Sequence, residues 1–355
     1  MKYDKYLRHY EDKDWRAFKQ MVQRMYGPRY IFTNKRFVDW QHRHNGSPSS
    51  LCLIDFAGEF KGVLGSIPLN LNFLGRDLSA WCYANIRVDP ELRRVGLGVA
   101  LIEFGRTPEK LVYGMGHSDE MTSVYRNLGW RSDIRLNRYL KVLNPASVDR
   151  LKTVDTPLTV ERKPVEDGFS QNSCTQVHVF YEDMDDFWLS VRDKYPITIN
   201  RYSSYLNWRY ADHPMIPYKI FVHRAPDGSV QGYAVVRIEN SSGYRIARII
   251  DFVSSDASEL PLLQHVTAYG ENNDADLVDF FFSGDFHVPS LLATGFVKSD
   301  DPGHETIPML FNPIDRTRKT VNFAYYLPTE ELRLQGNAPD KWYVTKGDGD
   351  IDRPY

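Results

Sequence analysis

The spacing of hydrophobic residues predicts a succession of strands and helices along the chain. In the first half, three apolar runs separated by turns, Ser50 to Phe56, Phe60 to Leu69 and Asp77 to Val88, are typical of an antiparallel meander. An amphipathic period predicts a helix from Lys13 to Met25, and Met1 to His9 is predicted to be the first strand. The pattern indicates a sheet that is covered by helices.

The second half shows the same order of elements. Helices are predicted from Asp183 to Arg192 and from Leu260 to Tyr269, and a buried strand from Leu277 to Phe282. The strands predicted between those helices are Lys219 to His223, Gly232 to Ile238 and Arg245 to Val253. Residues 145–175 contain Pro, Asp and Ser, which indicates a linker or crossover, and residues 338–355 form a polar tail.

Matching landmarks indicate an internal duplication. Trp40 precedes Gly65 by 25 residues, and Trp208 precedes Gly232 by 24. Chance agreement of aromatic and glycine positions is the alternative, but the order of the strands agrees as well. We therefore predict an α/β (α+β) chain of two tandem domains, each a mixed, largely antiparallel sheet flanked by helices. The predicted boundaries are 1–145 and 181–335 for the domains, 146–180 for the linker and 336–355 for the tail.

Composition argues against several classes of function. The 355 residues carry a net charge of −2 and have a pI of about 6.6, so no basic field favours nucleic acid. No apolar run approaches the roughly 20 residues that span a membrane, and the charged N-terminus lacks the apolar core of a signal peptide. The three cysteines are scattered, without a C-x-x-C motif. These features predict a cytoplasmic protein with no structural metal and no membrane partner.

A short basic segment that contains two glycines carries the most specific chemistry. This basic glycine segment, Arg93-Arg94-Val95-Gly96-Leu97-Gly98, follows an Asp89-Pro90 turn and precedes a short apolar helix from Val99 to Phe104. Backbone amides, a helix N-terminus and arginines together favour a diphosphate. Neither G-x-x-x-x-G-K-[ST] nor G-x-G-x-x-G is present, which argues against a P-loop NTPase or a dinucleotide-binding fold. A tight turn with solvated arginines is the alternative interpretation.

A second segment indicates which diphosphate-binding proteins the chain resembles. The predicted strand Leu111 to Gly114 is followed by a helix that ends Val124-Tyr125-Arg126-Asn127-Leu128-Gly129-Trp130. R-x-x-G-x-G after V-D-P, followed at this distance by Y-x-x-L-G-W, resembles motifs A and B of the GNAT acyltransferase superfamily. The sequence departs from that family at Ser118, where an Asn is common, and in the short helix closed by Gly105 and Pro108.

The resemblance implies a catalytic domain in residues 1–145 that binds acyl-coenzyme A (acyl-CoA). The pantetheine arm is expected beside the strand that ends at Val88, where a bulge frees an amide near Ile86 to stabilise the oxyanion. Tyr125 matches the tyrosine that protonates the leaving thiolate in many GNAT enzymes, and a buried core aromatic is the alternative. The residues expected to contact the coenzyme are Ile86, Arg87, Val88, Arg93, Arg94, Val95, Gly96, Leu97, Gly98 and Val99.

Two further residues are candidates for handling the acceptor amine. His117 ends the strand of the second motif, and histidine titrates near neutrality, which suits a general base. A hydrogen-bonding wall residue is an equal alternative for His117. Asn85 is expected either to orient the amine or to bond the backbone.

The second half lacks the basic glycine segment. After Asp251-Phe252-Val253 the sequence reads SSDASELPLL, with acidic residues where the first half has arginines. We therefore predict a degenerate GNAT-like copy without a coenzyme site. Arg209 and Trp208 lie in a segment that mixes aromatic and cationic residues, and they are candidates for binding the substrate's nucleotide. A role in the core explains Trp208 better, because both halves carry the tryptophan.

A closer resemblance covers nearly the whole chain. W-R-Y-x-x-H-P from Trp208 to Pro214, G-x-S before the motif B helix and the terminal G-D-G-D recur in tandem GNAT proteins that resemble enzymes of bacterial surface-polysaccharide synthesis. This resemblance implies an N-acyltransferase that moves an acetyl or hydroxybutanoyl group from acyl-CoA to a nucleotide-linked amino sugar of the dTDP-3-amino-3,6-dideoxyhexose type. A Fem-type aminoacyltransferase and a non-catalytic acyl-CoA sensor are the alternatives.

Overall fold

Two structural units make up the chain, and neither is continuous in sequence. The structure is a computed structural model that describes residues 3–43, 47–106, 110–151, 174–301, 304, 307–311, 314–315 and 321–353. The first unit comprises Met1–Ile134, Asn322–Ala338 and Asp348–Tyr355. The second unit comprises Arg135–Val321 and Pro339–Gly347.

The elements follow the predicted order closely. In chain order the strands are β1 (Leu7–His9), β2 (Leu51–Phe56), β3 (Glu59–Phe73), β4 (Arg76–Val88), β5 (Leu111–His117), β6 (Arg131–Val142), β7 (Cys174–Val177), β8 (Ile197–Ile199), β9 (Lys219–Arg224), β10 (Val230–Ser241), β11 (Tyr244–Ser254), β12 (Leu277–Phe282), β13 (Val297–Lys298), β14 (Leu310–Phe311), β15 (Ile314–Asp315) and β16 (Val321–Tyr326). The helices are α1 (Trp15–Tyr26), α2 (Lys35–His42), α3 (Leu97–Gly105), α4 (Asp119–Asn127), α5 (Pro145–Leu151), α6 (Asp183–Val191), α7 (Ser203–Leu206), α8 (Glu259–Asn272), α9 (Val288–Ala293) and α10 (Glu330–Gly336). The first strand is shorter than predicted, because Asp4–Tyr6 forms a 3-10 turn.

The first unit is a mixed sheet. β2, β3 and β4 form the predicted antiparallel meander, and β5 joins β4 in parallel. β1 pairs with β2, and Asn322–Tyr326 of β16 pair antiparallel with β5. A parallel neighbour requires a crossover, and α3 lies in that connection.

Both faces of this sheet carry a hydrophobic core. On one face, Phe18 of α1 shares a core with Leu53 of β2. On the other face, Leu101 of α3 shares a core with Ile54, the next residue along β2. Because successive side chains of a strand point to opposite faces, burial of neighbouring residues shows that helices cover both sides. Each fully buried side chain of this size stabilises the fold by roughly 1.5–3 kcal/mol.

The second unit repeats the same arrangement. β9, β10 and β11 form an antiparallel meander, and β12 joins β11 in parallel after α8. The edge strand β7 pairs with β9. The repeat confirms the predicted fold class, in which two tandem copies each contain a mixed, largely antiparallel sheet flanked by helices.

The last strand of each sheet comes from the other half of the sequence. In the first unit, β5 pairs with residues 322–326, which follow the second copy along the chain. In the second unit, β12 pairs with residues 137–142, which follow the first copy. The contiguous boundaries expected from the sequence, 1–145 and 181–335, therefore differ from the two units.

The polar C-terminal segment is buried. Residues 342–350 are all buried, with 342–347 in the second unit and the rest in the first. The amide of Tyr343 donates to the carbonyl of Ile197 at 2.9 Å, and Thr345 forms a β-bridge with Phe282. A polar segment can be buried when polar groups find partners, and these two contacts supply some of them.

A buried carboxylate connects several elements of the second unit. Asp251 on β11 accepts hydrogen bonds from Arg201 Nε at 3.2 Å, from Tyr233 Oη at 2.7 Å and from Thr345 Oγ1 at 3.3 Å. The side chains of Arg201 and Asp251 are both completely buried. Removal of one member of such a pair leaves an uncompensated charge in the core.

Asp251→Ala is therefore expected to lower the free energy of unfolding by about 3–5 kcal/mol. The matched control is Asp256→Ala, which removes an acid whose side chain is 93% exposed beside Lys194, and it should leave the free energy almost unchanged. Urea unfolding followed by tryptophan fluorescence measures both variants. Equal losses in the two would show that the buried pair does not support the second unit.

Candidate active site

The parallel ladder between β4 and β5 ends part-way along both strands. Its last pair is Tyr83 with Gly114, although β4 continues to Val88 and β5 to His117. Beyond that pair, no register joins the described residues of the two strands. We call this region, bounded by residues 85–88 of β4 and 115–117 of β5, the strand gap. An extended ligand with its own amides can bind such an open strand as an additional strand does.

A β-bulge in β4 lies at the start of the strand gap. The pairing of β4 with β3 shifts so that Asn85 and Ile86 together face Leu64. Asn85 has a φ of +55°, in the left-handed region that asparagine tolerates better than most residues. An extra residue bends the bulged strand and disrupts the ladder locally. The bulge lies where the sequence predicts that the amide of Ile86 is freed.

The basic glycine segment leads directly into α3. Arg94 has a φ of +73° and Gly96 a φ of +89°, so the backbone passes twice through the left-handed region before α3 begins. The first helical hydrogen bond joins Ala100 N to Gly96 O at 3.0 Å, which leaves the amides of residues 97–99 directed out of the helix N-terminus. Arg93 and Arg94 are exposed. Outward amides beside two exposed guanidinium groups are an arrangement that suits an anion.

The two glycines of this segment are present for different reasons. Gly96 adopts a positive φ, which explains the glycine by itself. Gly98 lies within the first turn of α3, and a Cβ there would meet Val88 Cγ2 at 3.5 Å, an ordinary van der Waals contact. The fold therefore does not require a glycine at position 98. A ligand that closely approaches the amide of residue 98 would account for it.

Tyr125 lies at the point where the ladder between β4 and β5 ends. Its hydroxyl is 3.5 Å from the position that a Cβ on Gly114 would take, and its ring stacks on Trp130 at 4.3 Å. Burial raises the pKa of Tyr125, and the Cys82 thiol and the Asp350 carboxylate act in the same direction. The phenol therefore keeps its proton at neutral pH and is chemically able to act as a proton donor.

His117 and Asn85, the two residues predicted to contact the acceptor amine, lie in different surroundings. His117 packs its ring edge-on against Tyr125, with the centroids 5.1 Å apart, and its carbonyl accepts a hydrogen bond from Asn322 Nδ2 at 3.0 Å. Asn85 is buried, and its side chain bonds two other side chains. The structure thus places Asn85 in a polar network at the bulge.

Four side chains form a closed circuit of hydrogen bonds there, which we call the Asn85 circuit. Tyr30 Oη donates to Asn85 Oδ1 at 2.5 Å, and Asn85 Nδ2 donates to Asp350 Oδ2 at 3.1 Å. Arg353 closes the circuit, because it donates both to Tyr30 Oη and to Asp350 Oδ2. A guanidinium group has donors alone, so the Tyr30 proton points to Asn85 and the Asn85 amide nitrogen faces Asp350.

Sequence reasoning missed the other members of this circuit, which are Tyr30, Asp350 and Arg353. Asn85 and Asp350 are 265 positions apart, so no local spacing connects them. The G-D-G-D motif is the one signal that marks the C-terminal segment, but it does not show where that segment lies. Within the first unit, Tyr113 Oη donates to the carbonyl of Asp348 at 2.5 Å and holds the segment against β5.

A stacked pair of tyrosines borders the Asn85 circuit. The rings of Tyr26 and Tyr30 are 4.2 Å apart and almost parallel, and both residues are partly exposed. The guanidinium of Arg87 lies 5.0 Å from the centre of the Tyr26 ring, and that of Arg353 lies 5.8 Å from the centre of the Tyr30 ring. Cationic groups therefore lie at both ends of an aromatic surface.

The corresponding position in the second unit is filled by the chain itself. The parallel ladder of β11 with β12 ends at Ile249. Residues 342–345 lie beyond it, where Thr345 bridges to the end of β12 and Tyr343 Oη donates to the carbonyl of Phe252 on β11. An extended ligand would have to displace this segment. The absence of a coenzyme site from the second copy stays a prediction.

The helix that follows β11 begins with a carboxylate that already accepts hydrogen bonds from other side chains. Glu259, the first residue of α8, accepts hydrogen bonds from Lys194 at 2.6 Å, His287 at 2.8 Å and Ser290 at 2.5 Å. Burial alone would raise the pKa of Glu259, but the hydrogen bond from His287 and the other partners lower it to about 2. An ionised carboxylate at this helix N-terminus repels a phosphate.

The two substrate residues predicted in the second half differ in burial. Arg209 is buried, and its Nε donates to the carbonyl of Gly347 at 2.8 Å. Trp208 is half-buried beside Tyr205, with the ring centroids 5.8 Å apart. Arg209 thus helps to hold the C-terminal segment in the second unit. Contact of either residue with a nucleotide stays a prediction.

Comparison with solved structures identifies the architecture. A protein of unknown function from Enterococcus faecalis V583, described as a probable N-acyltransferase, is 12% identical, with a TM-score of 0.55 over 82% of this chain and 69% of that one. A GCN5-related N-acetyltransferase from Anabaena variabilis is 12% identical, with a TM-score of 0.60 over 91% and 72%. Saccharomyces cerevisiae N-myristoyltransferase with bound myristoyl-CoA is 11% identical, with a TM-score of 0.56 over 89% and 76%. The chain has the GNAT fold. No protein-family model and no curated protein matches it.

Two general properties of the GNAT-fold chain complete the description. In the part that the structure describes, no helix combines the length and the apolar character needed to cross a membrane. The same residues contain no group of three His, Cys, Asp or Glu side chains arranged to hold a metal ion. Cys52 and Cys82 are buried in the first unit.

The two glycines of the basic segment allow a matched test of local geometry. Gly96→Ala forces an L-residue into the left-handed region and should lower the free energy of unfolding by about 1–2 kcal/mol. Gly98→Ala adds a methyl group to helical backbone with room for it, so stability should be unchanged or higher by up to about 1 kcal/mol. Urea unfolding of both variants checks this. A large loss for Gly98→Ala would mean that the fold itself requires that glycine.

Proposed function

We propose that this chain is an acyl-CoA-dependent N-acyltransferase. The observation that carries the proposal is the presence in one unit of the strand gap, the outward amides of residues 97–99 and the buried phenol of Tyr125. Each feature suits one part of acyl-CoA, namely the pantetheine amides, the diphosphate and the departing thiolate. The GNAT fold and the acyltransferases with similar structures support the same assignment.

The basic glycine segment is proposed to bind the diphosphate. The amides of residues 97–99 would donate to the phosphate oxygens, and Arg93 and Arg94 would add charge-assisted hydrogen bonds. Tyr3 Oη donates to the carbonyl of Val95, which fixes one end of the segment before a ligand arrives. A preformed segment loses less conformational entropy when it binds.

Two groups near the strand gap suit the chemistry of acyl transfer. The backbone amide of Ile86 at the bulge is proposed to donate to the thioester oxygen as negative charge develops there; one such donor contributes about 3–4 kcal/mol in other acyl-transfer sites. The phenol of Tyr125 would then protonate the thiolate that leaves. His117 is proposed to border the same site, as a base or as a wall residue.

The proposed acceptor is the amine of a nucleotide-linked amino sugar of the dTDP-3-amino-3,6-dideoxyhexose type. The sequence resemblance to tandem GNAT proteins supports this class. So does the aromatic surface of Tyr26 and Tyr30, because Arg87 and Arg353 at its ends suit a substrate that carries phosphate. A short acyl group, acetyl or hydroxybutanoyl, is the proposed cargo.

The test is thiol release from acetyl-CoA and 3-hydroxybutanoyl-CoA with a panel of dTDP- and UDP-linked amino sugars. At least one pair should release thiol well above the background without acceptor. Absence of release with every pair, despite binding of coenzyme A, would favour a sensor over an enzyme.

Tyr125→Phe is expected to lower kcat roughly 100-fold or more, because the thiolate loses its proton donor. Binding of coenzyme A should change little, since the ring and its stacking on Trp130 are kept. Tyr83→Phe is the matched control: it removes a buried hydroxyl of the same core that donates to the carbonyl of Ile102 at 3.1 Å. Steady-state kinetics and calorimetry measure both effects, and similar kcat values for the two variants would exclude Tyr125 as the acid.

A further inference from the structure

Asp350 presents a carboxylate oxygen beside the bulge of β4. The residue is 6% exposed, so its charge lies almost entirely out of solvent. Both donors that bond this carboxylate, Asn85 Nδ2 and Arg353 Nη2, reach the same oxygen, Oδ2. Within the described part of the chain, Oδ1 accepts no hydrogen bond. A buried carboxylate with an unused acceptor suits a cationic donor from outside the chain.

The Asn85 circuit fixes the orientation of that carboxylate. Because Arg353 donates to both Tyr30 and Asp350, the directions of all the hydrogen bonds follow, and Asp350 must be the acceptor at Oδ2. Asn85 is itself one of the two bulge residues, so the circuit ties Asp350 to the backbone that borders the strand gap. The carboxylate also contributes to the raised pKa of Tyr125, after burial and the Cys82 thiol.

The side of the circuit away from the buried core is aromatic and cationic. Tyr26 and Tyr30 are partly exposed there, between the guanidinium groups of Arg87 and Arg353. The guanidinium groups attract anions, and the unused acceptor oxygen of Asp350 attracts an ammonium group. A ligand that matches both features carries a primary amine and, farther along, a negative charge.

We propose that Asp350 binds the ammonium group of the acceptor and takes its proton, with the Tyr26–Tyr30 surface and its two arginines receiving the anionic carrier. This assignment rests on the proposed N-acyltransferase function and adds the residue that selects an amine. In this scheme the tyrosines and arginines bind the carrier, and Asp350 is the group that touches the reacting nitrogen.

The proton balance of the step is complete without a further reactant. Asp350 takes one proton from R–NH3+, and the nitrogen lone pair then forms the C–N bond at the thioester carbon. The C–S bond breaks, and the sulfur takes its proton from Tyr125. The nitrogen loses a second proton, which restores Tyr125 through water, and Asp350 returns its own proton to solvent. One ammonium and one thioester thus give one amide, one thiol and one released proton.

A purely structural Asp350 would fix the C-terminal segment and nothing more. The discriminating measurement is therefore preference for an amine over a hydroxyl, because a structural role does not alter it. The probes are a dTDP-3-amino-3,6-dideoxyhexose and the dTDP-6-deoxyhexose with a hydroxyl at the same carbon, each titrated by calorimetry in the presence of coenzyme A. The unaltered protein should bind the amine at least about tenfold more tightly than the hydroxyl.

Asp350→Asn keeps the shape of the side chain and should reduce that preference to about twofold or less. In thiol-release kinetics, kcat/KM for the amino sugar should fall roughly 100-fold, with the KM for acyl-CoA nearly unchanged. Asp352→Asn is the matched control, an equally buried acid two residues later, and it should keep the preference. Asp350→Glu restores a carboxylate and should recover part of the preference even if the Asn variant folds poorly.

The outcomes separate this inference from the function on which it rests. Loss of preference in Asp350→Asn, with Asp352→Asn and coenzyme A binding unaffected, supports the assignment. An unchanged preference in Asp350→Asn, an equal loss in Asp352→Asn, or no preference in the unaltered protein overturns it. Failure of the unaltered protein to bind coenzyme A at all would instead remove the proposed function.

Discussion

The departure of β4 from β5 at the Asn85–Ile86 bulge is the constraint on which the rest of the first unit depends. An interior strand normally commits its amides and carbonyls to both neighbours, and so it has no backbone groups left for a ligand. One extra residue in β4 ends the ladder with β5 while the pairing with β3 continues to Val88. The sheet thus keeps its core and still presents an open strand near its centre, beside the N-terminus of α3.

The second unit shows the alternative use of the same geometry. Its parallel ladder also ends early, but residues 342–345 lie there and bond both neighbouring strands. Buried backbone groups need partners, and this segment provides them from within the chain. The next residues, 348–353, serve the first unit differently, because they bring Asp350 to the bulge and leave one of its oxygens without a hydrogen bond from the described residues. One continuous segment therefore fills the end of the ladder in the second unit and places a carboxylate at the bulge of the first.

The features that can be predicted from the sequence are those whose residue types are required by the local backbone conformation or by burial. Gly96 and Gly129 both have a positive φ, at the start of α3 and after the end of α4. Such positions can be recognised in the sequence because a positive φ favours glycine. The strands of the meander can also be recognised from local sequence, because burial on both faces requires continuous apolar runs. These signals are sufficient to predict the fold class, whereas anion binding by the basic glycine segment and the role of Tyr125 stay predictions.

The remaining parts depend on contacts between distant residues. β6 and β16 each read as ordinary strands, and nothing in their periodicity tells which sheet receives them. Tyr30 lies in a turn, and Asp350 lies in a segment whose acids suggest solvent exposure. Their meeting at Asn85 depends on the tertiary path of a chain that returns after 265 positions. A pattern confined to neighbouring residues does not contain that information.

The central claim, that the outward amides of α3 and the adjacent arginines bind the diphosphate of acyl-CoA, is tested most directly by calorimetry with coenzyme A and with pantetheine, which lacks the diphosphate. The account predicts that coenzyme A binds at least about 100-fold more tightly, that added salt weakens its binding, and that Arg94→Glu removes the difference between the two ligands. Equal affinity for the two ligands, or coenzyme A binding that Arg94→Glu leaves unchanged, would contradict it.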